Sequence, residues 1–241
     1  MKALAVIPAR YNSSRLHGKP LADIAGKPMI WHVYQKALQA KKITSVVVAT
    51  DDQRIIDACE TYEMNWILTR TTHETMSSRI HEVSTQIEAD AYVVVNGDEP
   101  LIDPSTIDEA VPNTASFYAT NLCSLIDNPA DVLDVSNIKV VFNEQGKAVY
   151  MSRSPVPYPK STITPKYYKH LGVIAYSKEA LDFFANTTAG IIERVEDIDY
   201  LRFLENAKDF QMIVTKASSI SVDTPKDLEL VRSVFDGGEN D

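Results

Sequence analysis

The chain has 241 residues, 44% of them hydrophobic, which is enough to bury the core of one α/β domain. Its net charge of −9 argues against a broad basic surface, so we expect neither nucleic acid nor a membrane as a partner. Met1-Lys2 leads directly into a strand pattern, without a signal-peptide core or an apolar run of the ~20 residues that a spanning helix needs. Cys59 and Cys123 are too few and too far apart for a zinc site or a disulfide framework, which favours a reduced, cytoplasmic protein.

Strand-like and helix-like segments alternate over the first half of the chain. The predicted strands are Ala3–Ile7, Ser45–Thr50, Asn65–Leu68 and Ala91–Val95, and the predicted helices are Pro28–Gln39, Gln53–Tyr62 and Ser77–Ile87. This alternation is typical of βαβ units and predicts an α/β fold with a mainly parallel sheet. In such a sheet the ligand binds at the loops that follow the carboxyl ends of the strands.

After Pro112 the pattern changes, and we expect an excursion from the sheet within a single domain of residues 1–241. The predicted strands are Phe117–Leu125, Lys139–Phe142, Ala148–Met151 and His170–Tyr176, with a proline-rich stretch from Pro155 to Pro165 before the last of them. The chain then returns with predicted helices Lys178–Ala185 and Glu196–Glu205, a strand Met212–Thr215 and a closing helix Thr224–Val234. Thr224 fits the N-cap of the closing helix.

The segment after the first predicted strand carries Arg10, Arg15 and Lys19, and no acidic residue precedes Asp23. A cationic loop at the end of a strand, in an acidic chain, suggests a polyanion such as a nucleoside triphosphate. Transfer at the α-phosphorus would require neutralisation of the charge that develops on the leaving pyrophosphate. An ordinary solvated basic loop is the alternative. The loop matches neither the P-loop nor the dinucleotide-binding pattern, which disfavours those two classes.

Single aspartates follow two apolar runs, Asp98 in Asn96-Gly97-Asp98-Glu99-Pro100 and Asp223 in Val222-Asp223-Thr224-Pro225. Magnesium prefers one or two carboxylates together with phosphate oxygens, so the two aspartates could converge on one metal. Each also fits a turn or a helix N-cap, and spacing leaves both interpretations open.

Two further segments fit structural roles better than chemical ones. His170, in Lys169-His170-Leu171-Gly172, enters a predicted strand, where a histidine is more often a hydrogen-bonded structural residue than a catalyst. The charges from Glu193 to Arg202 alternate in sign, which indicates a solvated, ion-paired helix face.

Together these segments resemble the 3-deoxy-manno-octulosonate (Kdo) cytidylyltransferases, from residue 3 to about residue 230. The matching segments are Ile7-Pro8-Ala9-Arg10-Tyr11, Ser14-Arg15-Leu16, Gly18-Lys19-Pro20-Leu21, Gly26-Lys27-Pro28-Met29-Ile30, Val48-Ala49-Thr50-Asp51, Gly97-Asp98-Glu99-Pro100-Leu101-Ile102, Ser152-Arg153-Ser154-Pro155-Val156-Pro157-Tyr158, Lys169-His170-Leu171-Gly172 and Val222-Asp223-Thr224-Pro225. So many ordered matches are far more specific than any single motif.

The resemblance implies a Rossmann-like nucleotidyltransferase fold of the glycosyltransferase-A type, with roughly 115–190 as an inserted dimerisation and acceptor-binding region. It implies an Mg²⁺-dependent enzyme that transfers CMP from CTP to the anomeric hydroxyl of Kdo and releases pyrophosphate, for lipopolysaccharide or capsule synthesis. A cytoplasmic homodimer is expected by the same resemblance.

The same resemblance implies roles for particular residues. The catalytic residues would be Lys19, Arg10 and Asp98, and the metal ligands Asp98 and Asp223. The nucleotide-binding residues would be Pro8, Ala9, Arg10, Arg15, Lys19, Ser77, Arg79 and Asn96. The sugar-binding residues would be Arg153, His170, Glu196 and Tyr200.

Departures from the family pattern fall at Met76, Asn96 and Tyr200, where members carry glycine, glutamine and glutamine. These changes affect the base and sugar ends and leave the phosphate and metal ends intact. A cytidylyltransferase for another acidic acceptor, such as 8-amino-Kdo, a sialic-acid-like sugar or a phosphonate, is therefore an alternative. A non-catalytic CTP-binding protein is a second alternative, against which the retained aspartates and cations weigh.

Overall fold

The structure is a computed structural model that describes residues 1–12, 16–114, 116–217 and 220–237. The strands are β1 (Ala3–Ala9), β2 (Asp23–Ile24), β3 (Lys27–Pro28), β4 (Ser45–Thr50), β5 (Trp66–Leu68), β6 (Ala91–Val95), β7 (Ala119–Leu125), β8 (Lys139–Phe142), β9 (Ala148–Ser152), β10 (Tyr168–Tyr176) and β11 (Phe210–Val214). The helices are α1 (Met29–Gln39), α2 (Gln53–Thr61), α3 (Met76–Gln86), α4 (Pro104–Ala110), α5 (Pro129–Leu133), α6 (Lys178–Asn186), α7 (Ile191–Glu196), α8 (Leu201–Glu205) and α9 (Pro225–Gly237). A one-turn 3₁₀ helix, Lys19–Leu21, precedes β2.

The main sheet has the strand order β11-β7-β10-β6-β1-β4-β5. Its central strands β6, β1, β4 and β5 are parallel, which confirms the predicted α/β class. β10 runs antiparallel to both β6 and β7, and β8 and β9 extend the sheet from the first residues of β10. Because β1 and β6 are parallel neighbours, the loops that follow Ala9 and Val95 meet at one edge of the sheet.

Helices cover both faces of this sheet, and alternate side chains of β1 pack against the helices on opposite faces. Ala5 and Ile7 belong to the core under α1, α2 and α4, whereas Leu4 and Val6 belong to the core under α3 and α6. Successive side chains of a strand point to opposite faces, so a strand buried on both sides is an almost continuous apolar run. Among the described residues, no helix is long and apolar enough to span a bilayer.

The predicted helix Glu196–Glu205 is wrong. α7 ends at Glu196 because Asp197 adopts a left-handed conformation (φ 53°), and α8 starts only at Leu201. Aspartate is one of the few residues that tolerate this conformation, and the break lets Ile198 and Leu201 both enter the core.

The solvated ion-paired face predicted for this segment is also wrong at its two ends. Glu193 and Arg202 form a buried pair, with Arg202 Nη2 2.5 Å from Glu193 Oε1. The Arg202 guanidinium also stacks on the ring of Phe184. The pair therefore ties α7 to α8 and to the end of α6 from inside the protein.

Candidate active site

A first cavity of about 440 Å³ opens where β1 and β6 end. It is lined by Pro8, Ala9, Arg10, Asn12, Lys19, Pro20, Glu74, Met76, Arg79, Gly97 and Asp98. The loop after β6 approaches the end of β1 so closely that a Cβ on Gly97 would lie 3.2 Å from the Pro8 carbonyl oxygen. Five of the predicted nucleotide residues line this cavity, namely Pro8, Ala9, Arg10, Lys19 and Arg79. Arg15 lies outside the described residues.

Two arginines give one wall of the first cavity its charge. Arg79 is only 1% exposed and donates to Thr69 Oγ1 (2.5 Å) and Asp51 Oδ2 (2.7 Å). Arg10 donates to the carbonyl oxygen of His73 (2.7 Å). Burial lowers the pKa of Arg10, the nearby charge of Arg79 lowers it further, and Asp51 opposes both. A wall on which two guanidinium groups repel each other is stabilised by an anion.

Ser77 and Asn96, two further residues predicted to bind nucleotide, do not line the first cavity. Ser77 is fully buried behind the cavity wall, where its hydroxyl donates to Asp199 Oδ2 (2.8 Å). Burial raises the pKa of the Asp199 carboxyl group, whereas the hydrogen bond from Ser77 lowers it. Sequence reasoning missed this contact, because 122 residues separate the two partners and no local pattern marks Asp199.

Lys19, which lines the first cavity, forms ion pairs with two aspartates. Lys19 Nζ lies 2.7 Å from Asp98 Oδ2 and 3.1 Å from Asp223 Oδ1, so two aspartates from distant parts of the sequence share one ammonium group. The backbone supports this contact, because Val222 N–H donates to the carbonyl oxygen of Asp98 (2.8 Å). Gly18 precedes the lysine in a left-handed conformation (φ 68°) that turns the chain into the short 3₁₀ helix.

Asp98 and Asp223 also fit a divalent cation. Within the described part of the chain, Asp98 Oδ1 is a buried oxygen without a hydrogen-bond partner, and its chemistry suits a cation ligand. Magnesium commonly binds one or two carboxylates and completes its shell with phosphate oxygens and water. The same described residues contain no group of three or more histidine, cysteine and acidic side chains that could hold a metal.

A second cavity, of about 860 Å³, adjoins the first and shares Asp98 with it. Its lining includes Asn96, Lys169, His170, Gly172 and Asp223. Asn96 therefore faces this second cavity. Because Asp98 borders both cavities, groups bound in the two would meet beside Asp98 and Lys19.

His170 is a neutral histidine in the wall of the second cavity. Its Nδ1 is buried and has no hydrogen-bond partner in the described part of the chain, and its ring lies 5.6 Å from that of Tyr200. Burial lowers the pKa of His170 from its usual 6.5 to about 4. The imidazole is therefore uncharged at neutral pH.

Arg153, Glu196 and Tyr200 are not among the residues that line the second cavity. The Arg153 guanidinium donates to three backbone carbonyls, including that of Glu196 (2.7 Å). Burial raises the pKa of Glu196, but hydrogen bonds from Ser152 (2.6 Å) and from the Arg153 N–H (2.9 Å) hold it below its usual value. Tyr200 is buried in the core and contacts the cavity wall through the ring of His170.

The chain is similar in sequence to known nucleotidyltransferases. The sequence model of the family described as Cytidylyltransferase matches residues 4–210. The 3-deoxy-manno-octulosonate cytidylyltransferase of Escherichia coli is 39% identical over 97% of this chain and 96% of its own length. The protein of the same description from Geobacter metallireducens is 40% identical over 96% of each chain. The chain belongs to the cytidylyltransferase family and, within it, groups with the 3-deoxy-manno-octulosonate cytidylyltransferases.

Solved structures agree with this grouping. A CMP:2-keto-3-deoxy-manno-octonic acid synthetase solved with CTP superposes with a TM-score of 0.92, at 39% identity over 99% of this chain and 100% of that one. A putative glucose-1-phosphate thymidylyltransferase from Bacillus anthracis has a TM-score of 0.69 at 15% identity, covering 96% of this chain and 94% of that one, which shows a shared fold. The predicted nucleotidyltransferase fold and the predicted family are both confirmed.

The pKa of His170 gives the free energy of unfolding a specific pH dependence. The unfolded chain takes up a proton on this imidazole near pH 6.5, whereas the folded chain does so only near pH 4. The stabilisation is complete above the higher value and is lost as the pH falls toward the lower one, by on the order of 3 kcal/mol. We expect wild type to lose this much relative to His170→Gln between about pH 7 and about pH 4. Urea unfolding of both proteins across that range measures the difference.

The comparison between the two proteins removes the titration of all other groups. Parallel stability curves for wild type and His170→Gln would contradict a buried neutral histidine at this position. A difference that grows toward low pH in favour of wild type would contradict the sign.

Proposed function

We propose that the chain transfers CMP from CTP to the anomeric hydroxyl of 3-deoxy-manno-octulosonate (Kdo) and releases pyrophosphate, for lipopolysaccharide or capsule synthesis. The observation that carries the proposal is the contact of Lys19 with Asp98 and Asp223 where the two cavities meet. The two substrates, CTP and Kdo, are inferred from the family and from the descriptions of its relatives.

The first cavity is the proposed CTP site. Arg10, Arg79 and Lys19 supply positive charge to the triphosphate, and Arg15 is proposed for the same role from the sequence alone. Pro8 and Ala9 frame the base and ribose, together with Met76, which replaces the glycine of the family pattern. Ser77 acts indirectly, since it anchors the first turn of α3 to Asp199 while its neighbour Met76 borders the nucleotide. Asn96, expected among the nucleotide residues, belongs with the acceptor instead because it lines the second cavity.

The second cavity is the proposed acceptor site. Lys169 supplies a positive charge for the carboxylate of the sugar acid, and the neutral His170 offers a hydrogen bond to a hydroxyl group. Arg153, Glu196 and Tyr200 contribute by fixing the wall: the first two hold each other, and Tyr200 packs on His170. Asn96 borders this site and replaces a glutamine of the family pattern, so it is the first residue to suspect if the acceptor differs from Kdo.

In the proposed reaction the anomeric oxygen forms a bond to the α-phosphorus while the bond from that phosphorus to the bridging oxygen breaks. Pyrophosphate leaves with the electron pair, and the hydroxyl proton is lost to solvent. Lys19 neutralises charge that builds up on the phosphate oxygens, and the arginines hold the leaving group in line. Asp98 and Asp223 would hold Mg²⁺, which when bound supplies charge for the phosphates and lowers the pKa of the attacking hydroxyl. No covalent intermediate with the protein is required.

We also propose a cytoplasmic homodimer that pairs through the region 115–190, within a single domain of residues 1–241. Large apolar side chains in this region are exposed, among them Leu133, Val135, Tyr158 and Ile163 at 63–81% of their surface. Exposed apolar side chains of this size are more typical of an interface than of a free surface.

Mg²⁺-dependent release of pyrophosphate from CTP tests the proposed function. The acceptors are Kdo, 8-amino-Kdo, N-acetylneuraminate and a simple phosphonate, with CTP binding measured separately by calorimetry. We expect rapid release with Kdo. Release only with another acceptor would overturn the choice of Kdo and direct attention to Asn96. Binding of CTP without release for any acceptor would favour the non-catalytic alternative.

Replacement of either proposed metal ligand should abolish turnover without unfolding the protein. We expect Asp98→Asn and Asp223→Asn each to lower kcat by a factor of about 10² or more, because an amide is a weaker magnesium ligand than a carboxylate. Asp103→Asn is the matched control: Asp103 caps α4 close to the same loop, and asparagine caps a helix equally well. Near-normal turnover of Asp98→Asn or Asp223→Asn at saturating Mg²⁺ would remove that residue from the metal site.

Lys19→Ala separates the two roles of the lysine. Without the ammonium group the two carboxylates repel each other, so a dication should bind them about tenfold more tightly in the absence of nucleotide. Turnover should nevertheless fall by about 10²–10³, since the charge that stabilises the phosphates is lost. Titration with Mn²⁺ followed by electron paramagnetic resonance measures the first effect. Weaker Mn²⁺ binding, with Lys27→Ala unchanged as control, would show that Lys19 does not compete with the metal.

A further inference from the structure

β10 changes its neighbour where it borders the second cavity. Tyr168 and Lys169 pair with β8 on one side and β7 on the other, whereas Val173 to Tyr176 pair with β6 in place of β8. Between these two parts the register with β7 slips, since His170 pairs with Cys123 and Ile174 with Asn121. Residues 171–173 therefore stand opposite Leu122 alone and form a bulge.

The side chain of Asn121 replaces the backbone hydrogen bonds that the bulge breaks. Its Nδ2 donates to the carbonyl oxygens of Leu171 (2.8 Å) and Val173 (3.0 Å), on either side of the bulge's central residue. Both neighbours are acceptors, so only the amide's NH₂ can face them. Asn121 is fully buried, and its Oδ1 has no hydrogen-bond partner in the part of the chain that the structure describes. A buried polar side chain left half satisfied is costly unless the contacts that it does make are needed.

The opposite side of the bulge faces the loop that carries Asp98. Asn96 N–H donates to the carbonyl oxygen of Gly172 (3.2 Å), and a Cβ on Gly172 would overlap the side chains of Asn96 and Glu99. The bulge is thus held by Asn121 from β7 and by Asn96 from the end of β6. Leu171 and Gly172 line the second cavity from this bulge, and His170 lines it from the preceding position, so the bulge sets that wall of the cavity.

We propose that Asn121 is a positioning residue for acceptor binding: it holds the bulge of β10, and thereby His170 and Leu171, against the second cavity. The inference rests on the proposed function for its choice of Kdo as the acceptor. Asn121 lines neither of the two cavities, so it acts through the strand and not by touching a substrate. The first cavity contains no residue of β10, and CTP binding should not depend on Asn121.

Asn121→Leu tests the proposal in the full chain, because leucine keeps the size of the side chain and removes both donors. Thr120→Val is the matched control: Thr120 is a buried polar residue of the same strand, and its hydroxyl donates to Ala110 (2.8 Å), away from the bulge. We expect the KM for Kdo to rise about tenfold or more in Asn121→Leu, with the Kd for CTP within about twofold of wild type. Hydrogen exchange at the Asn96 amide should accelerate by a similar factor. Thr120→Val should change neither the KM for Kdo nor this exchange rate.

The exchange measurement needs no turnover and keeps the two proposals apart. If wild type releases no pyrophosphate with Kdo, the acceptor assignment fails, while the Asn96 amide still decides the role of Asn121. An Asn121→Leu protein with wild-type KM and wild-type exchange overturns the proposal, as does an equal rise of KM in Thr120→Val. If Asn121→Leu does not fold, Asn121→Ser, which keeps one donor, should show the same KM and exchange changes at smaller size, and their absence would likewise overturn the proposal.

Discussion

The ion pairs of Lys19 with Asp98 and Asp223 hold three distant segments of the chain together. Asp98 and Asp223 are partly buried and lie against the same Lys19 Nζ, so neither carboxylate could approach the other as closely without that charge between them. Three separate segments must converge to make the contact: the loop after β1, the loop after β6 and the segment before α9 that contains Val222. The parallel pairing of β1 with β6 brings the first two together, and the hydrogen bond from Val222 to Asp98 brings in the third.

The direction of β10 explains why both cavities lie at one edge of the sheet. β10 is antiparallel to β6, so its first residues, and not its last, lie beside the carboxyl end of β6. Val173 pairs with Val95, and the residues just before it reach the loop of Asp98. A parallel strand in this place would present its last residues there, and a crossover connection would be needed to reach it. The antiparallel direction of β10 thus places polar side chains at the same edge of the sheet as the loops that follow the parallel strands.

Local patterns in the sequence predicted most of the strands and helices, because strand, helix and cap signals are short-range. Spacing left open whether Asp98 and Asp223 converge, and a shared site with Lys19 was implied only by the resemblance to the family. The same signals missed the break at Asp197 and predicted one helix over Glu196–Glu205, since nothing in the charge pattern distinguishes a continuous helix from two short ones. The contacts of Ser77 with Asp199 and of Asn121 with the bulge depend on pairing between distant segments. The resemblance implied that Arg153 and Glu196 bind the sugar, but neither lines the second cavity. They hydrogen-bond each other, a contact that depends on β9 and α7 lying side by side and that no local pattern marks.

The two cavities share Asp98 but are supported by different side chains. A substitution that alters one cavity therefore need not alter the other. Arg79, held by Asp51 and Thr69, supports the first cavity, whereas the bulge of β10 supports the second. Met76 borders only the first and Asn96 only the second. Substitution at Asn96 can therefore reshape the second cavity while the arginines and Lys19 keep their contacts. In the proposed function, the chemistry at the phosphate depends on Lys19 and Asp98, whereas the residues that line the rest of the second cavity can vary without altering that contact.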